Sequence, residues 1–141
     1  MANRFHWHCR PGLLPEYCAN THGAIAKHQL EGNEKVVKDV MNDPSKAEVS
    51  DKLKALFRIV AKVQVDGKKV TPEDIAYAKE QGATDKEIHD TVLITAAFSM
   101  YNRYVDGLGT WAPEDPAVYD AIGKQRASEG YLTKPFKVTQ S

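Results

Sequence analysis

Cys18 and His22 stand four residues apart in the stretch Tyr17, Cys18, Ala19, Asn20, Thr21, His22, Gly23, Ala24. On a helix that spacing puts both side chains on one face, one turn from each other. The thiolate is the reactive form of cysteine. A place in the first helical turn stabilises it through the positive end of the dipole, and an adjacent imidazole can take the proton. Both effects predict a lowered thiol pKa and a nucleophilic sulfur assisted by a base. The competing reading is packing, because free cysteines are among the most buried residue types and such a pair arises by chance in many helices. His6, His8, Cys9, Cys18 and His22 together offer enough nitrogen and sulfur for tetrahedral zinc, but their spacing matches no common zinc module, so neither a metal nor another cofactor is expected.

The elements that must position this pair read as helices throughout. A helix is predicted over 14–30, with Pro15 in its first turn and Gly32 after it. Val36, Val37, Val40 and Met41 recur at helical spacing before Asp43 and Pro44 stop a second, short helix. Ser50 caps a third helix that runs to about Val65. Thr71 and Pro72 open a fourth that Gly82 closes, and Thr84 with Glu87 forms a capping box for a long fifth helix reaching about Asp106. Ile88, Val92, Leu93, Ala96, Ala97, Met100, Tyr101, Tyr104 and Val105 cover most of its circumference, which predicts the buried centre of the fold. Asp115 and Pro116 start a last helix that ends at Gly130. No alternating apolar run suggests a strand, so the class is all-α, with about five to six helices. The division expected is an irregular N-terminal segment over 1–13, one helical domain over 14–131 and a C-terminal tail over 132–141.

Composition narrows the function classes. The chain's 141 residues suit one domain with a core, and 19 basic side chains balance 19 acidic ones, which favours neither nucleic acid nor an anionic membrane surface as a partner. No apolar stretch reaches the roughly 18 to 20 residues that span a bilayer, and the first eight residues lack a secretory pattern, so a cytoplasmic location is expected. In that compartment the two cysteines, Cys9 and Cys18, are reduced thiols.

The stretch from Tyr17 to Ala24 resembles the second half of the Cys-x-x-Cys-x-x-x-His helix of the alkylhydroperoxidase D and carboxymuconolactone decarboxylase family. The segment Met100, Tyr101, Asn102, Arg103, Tyr104, Val105, Asp106, Gly107 is similar to the Asn-Arg and Asp-x-Leu pattern that ends the family's long central helix, and the likeness covers roughly residues 17 to 131. It implies an AhpD-like helical bundle and a thiol peroxidase, in which a cysteine attacks a hydroperoxide, becomes a sulfenic acid and is resolved by a second thiol. Cys18 would be the nucleophile and His22 the base or proton shuttle. The motif's first cysteine falls on Pro15, and the family's upstream relay glutamate falls near Asn3. Cys9 is then the candidate resolving thiol and Glu16 the candidate substitute in the proton relay; otherwise an external thiol reductant serves. The alternatives are the decarboxylase branch, which acts on a lactone acid without the cysteine pair, and a non-catalytic oligomeric relative.

Three further expectations concern packing and assembly. Asn102, Arg103 and Asp106 are polar residues near the end of an apolar helix, expected to form a packing or subunit network, with a lesser prospect of lining the active pocket. Trp7, Trp111, Tyr119 and Tyr131 lie outside the helical stripes, as interface aromatics often do. The resemblance implies a homo-oligomer, a trimer or a multiple of one.

Overall fold

The computed structural model describes residues 15–31 and 33–131, with side chains in the first helix described from Tyr17 onward. Six α-helices follow in order: α1 Pro15–Gln29, α2 Glu34–Asn42, α3 Asp51–Val65, α4 Pro72–Glu80, α5 Asp85–Gly107 and α6 Pro116–Glu129, with one 3-10 turn at Gly67–Lys69. There is no strand among the described residues, as the absence of alternating patterns implied. The N-terminal segment with Cys9 and the tail from residue 132 lie outside the described residues.

The caps read from the sequence form. The Ser50 side chain accepts from Leu53 N at 3.2 Å, and reciprocal capping boxes join Thr71 to Asp74 and Thr84 to Glu87. Asp74 does more than cap. Its side chain is only 3% exposed and receives Lys62 Nζ together with the Thr71 amide, so the Lys62 ammonium first, and the Thr71 amide next, hold its carboxyl below the usual range. The core beside it is Ala55, Leu56, Ile59, Ala78, Ala83 and Ile88, where α3, α4 and the start of α5 meet.

The second packing unit sets α6 against α1. A Cβ built on Gly123 would lie 2.6 Å from Ala24 Cβ and 2.7 Å from its carbonyl carbon, so only glycine permits the approach of these two backbones. Ile25, Tyr119 and Ile122 are buried around that crossing. Lys27 and His28 reach Asp120 across it at 2.9 and 3.0 Å. Tyr119, expected on an interface, is instead internal, with its hydroxyl donating to Pro113 O at 2.7 Å; the loop before α6 supplies that acceptor.

The long helix is not the buried centre that its apolar circumference suggested. Only Ile88 and Thr95 of α5 are buried, because α3 and α1 cover one side. On the other, Leu93, Ile94, Met100, Tyr101, Tyr104 and Leu108 are 52–66% exposed. Periodicity reports how many apolar faces a helix has; it does not report whether the same chain covers them.

Gly123→Ala should lower stability by about 1–3 kcal/mol, since the clash is with backbone and cannot be relieved by a rotamer change. Gly107→Ala, where a Cβ meets nothing within 4 Å, should be neutral or mildly stabilising. Chemical denaturation of the two variants checks the contrast, and equal effects would show that the crossing is not tight.

Candidate functional site

α1 begins at Pro15, which places Cys18 within its first turns and His22 one turn further on the same face. Both side chains are half-buried, and Cys18 is a free thiol. The imidazole is held on two sides. Phe98 of α5 meets it edge-on with ring centroids 4.7 Å apart, and Tyr131 lies nearly parallel to it at 5.9 Å. The Tyr131 hydroxyl is 2.9 Å from His22 Nδ1, and in the tautomer in which Nδ1–H donates to the hydroxyl oxygen, Nε2 is the nitrogen free to accept a proton. Tyr131 reaches this place because Gly130, at φ +78°, ends α6 in a left-handed conformation and turns the chain.

The electrostatics differ from the expectation of a lowered thiol pKa. Burial pushes the Cys18 thiol up, and the negative charge of Asp106 adds to the effect, so the resting sulfur carries its proton. The dipole of a helix start is weak beside these two influences once the sulfur leaves water. Burial lowers the pKa of His22, which therefore stays neutral and able to accept a proton near pH 7. Burial also raises the Tyr131 hydroxyl's pKa.

Asn102, Arg103 and Asp106 part company. Arg103 is exposed and donates to Ser99 O at 3.2 Å on its own helix. Asn102 Oδ1 and Asp106 Oδ1 are buried with no hydrogen-bond partner among the described residues, as is Thr21 Oγ1 on α1. Phe98, Asn102 and Asp106 recur every four residues on α5, so the stripe that touches His22 continues to the carboxylate whose charge is felt at Cys18. Glu16 belongs to the first turn of α1, but its side chain lies outside the described residues, as does Cys9. Phe98 and Tyr131 were not among the candidate site residues. The usable signals were the i, i+4, i+8 line ending at Asp106 and the helix-stopping Gly130.

A cavity of about 1080 Å³ opens among the described residues, and the thiol is not part of its lining. It lies beside the pair, between α1, α2 and the loop that leads into α6, with Gly23, Val37 and Met41 among its apolar lining and Lys27 and Lys38 among its charges. Among the described residues no group of three or more His, Cys, Asp or Glu side chains is placed to hold a metal ion, and no helix is long and apolar enough to cross a membrane. No family model, curated protein or solved structure matches the chain.

The thiol's protonation gives a direct test. In a Cys9→Ser background, the rate of Cys18 alkylation should still be climbing above pH 8.5, about where an ordinary thiol is half ionised. A midpoint below pH 7 would contradict the electrostatic account of the site.

Proposed function

We propose that the chain is an alkylhydroperoxidase-like thiol oxidoreductase that reduces a hydroperoxide through Cys18. The observation that carries the reading is a half-buried free thiol one helical turn from an imidazole on the same face, the ring kept neutral by burial and met at Nδ1 by Tyr131. A protonated thiol needs such a base. His22 Nε2 takes the Cys18 proton as the sulfur attacks the peroxide's terminal oxygen, and the O–O bond breaks. The alkoxide leaves with the proton from His22 as an alcohol, and Cys18 becomes a sulfenic acid. One equivalent of an external thiol then forms a mixed disulfide and water, and a second restores Cys18 and releases the external disulfide. Cys9 can take the place of the external thiol in the first step if it reaches Cys18, giving water and an intramolecular disulfide that two equivalents of the external thiol then reduce, leaving as their own disulfide. A reducing compartment such as the cytoplasm suits this cycle.

A cavity whose lining does not include the thiol favours a second reading, the thiol-independent decarboxylase branch; Lys27 and Lys38 line it, where both are ion-paired with Glu34, at 2.8 and 3.3 Å. Peroxide consumption with a dithiol reductant separates the two. Under the first reading Cys18→Ser abolishes turnover, His22→Gln slows it by about 10²- to 10⁴-fold, and Cys9→Ser retains it if the reductant resolves the sulfenic acid. Full activity of Cys18→Ser would end the thiol mechanism.

We further infer that a second copy of this chain covers the open side of α5. Leu93, Ile94, Met100, Tyr101, Tyr104 and Leu108 at roughly 100 Å² each offer about 600 Å², near the ~800 Å² that one partner contributes to a stable interface. Residues 91–102 carry no charge that would oppose such contact. Light scattering should report an oligomer for the full chain and a smaller species for Met100→Glu; a monomeric wild type at micromolar concentration would overturn the assignment.

A further inference from the structure

We propose that Asp106, with Asn102 one turn before it, forms an acceptor wall beside Cys18 that receives the hydroxyl hydrogen of a neutral hydroperoxide and turns away anionic ones. The proposal rests on the hydroperoxide reading of the same site and adds its selectivity.

The argument begins with atoms that lack partners. Buried polar side-chain atoms are nearly always hydrogen-bonded, so each exception calls for a cause. Among the described residues there are three, Thr21 Oγ1, Asn102 Oδ1 and Asp106 Oδ1, and all belong to the two helices that flank the thiol. Thr21 is 8% exposed and follows Cys18 by three residues, on the same side of α1. Asn102 and Asp106 continue the line of Phe98, which packs against His22. The carboxylate can only accept and the Asn102 amide oxygen is an acceptor short of a donor, while the Thr21 hydroxyl can take either role. A bound molecule that satisfies this wall must bring hydrogen, not negative charge.

A hydroperoxide brings a single O–H, on the oxygen that the sulfur attacks. Lodged on Asp106 or Asn102, that hydrogen fixes the orientation of the O–O bond relative to Cys18, while the second oxygen remains open to the proton from His22. An anionic substrate has the opposite match. Its charge would face the carboxylate, and neither of the two ring groups beside the pair offsets it, since burial keeps His22 neutral and the Tyr131 hydroxyl protonated. Burial first, and the charge of Asp106 second, raise the Cys18 pKa, which agrees with the position of Asp106 on the α5 stripe that meets His22.

Alkylation of Cys18 by iodoacetate and by iodoacetamide reads this field without requiring turnover. In the Cys9→Ser protein, with each rate corrected for thiolate fraction, Asp106→Asn should raise the iodoacetate-to-iodoacetamide ratio roughly three- to fivefold, as expected for removing one charge at close range. Asp106→Glu should restore the wild-type ratio, which also shows that the Asn effect is not a folding defect. In turnover, Asp106→Asn should narrow the preference for a neutral alkyl hydroperoxide over one carrying a carboxylate near the peroxide. A ratio unmoved by Asp106→Asn overturns the wall whatever the activity. A moved ratio in a protein whose wild type consumes no peroxide overturns instead the reading on which the wall rests.

Discussion

The close crossing of α1 and α6 at Ala24 and Gly123 is the contact on which the candidate site depends. A Cβ at Gly123 would strike the Ala24 backbone, so the two helices approach only because one has no side chain there. That approach lets Lys27 and His28 share Asp120, and it brings the end of α6 back toward the middle of α1. Gly130 then turns the chain and Tyr131 reaches His22. The imidazole is thus met by the hydroxyl of a residue 109 positions away, which the α1–α6 crossing brings within reach.

The same packing sets the chemistry of the thiol. Withdrawing Cys18 from water disfavours its charged form, and withdrawing His22 disfavours its own, so both are neutral at rest. A carboxylate on α5 strengthens the first effect. A sulfur held in this way is slow to react with electrophiles unless a base takes its proton. The electrostatics therefore favour a site controlled by proton transfer over one that stores a thiolate.

α5 joins the two halves of the molecule and is used on more than one side. Ile88 packs into the α3–α4 core, while Phe98 and Asp106 look toward α1. The uncharged stretch between the ends leaves several large side chains uncovered by the rest of the chain. A helix with apolar residues all round can be buried by its own fold or shared with another molecule, and the described residues cover only part of it.

Helix boundaries were legible in the sequence because their causes are local. Ser50, Thr71, Thr84 and Asp115 cap through bonds to residues two or three positions on, and Pro72, Pro116 and Gly130 act on their own backbone. The shared face of Cys18 and His22 followed from helical periodicity alone. What the sequence could not determine was the protonation of the sulfur, the ring that holds the imidazole, the internal place of Tyr119 or the side of α5 left open. Each of these is set by contacts between residues tens of positions apart, and burial, which decides the charge state, exists only once those distant segments have packed.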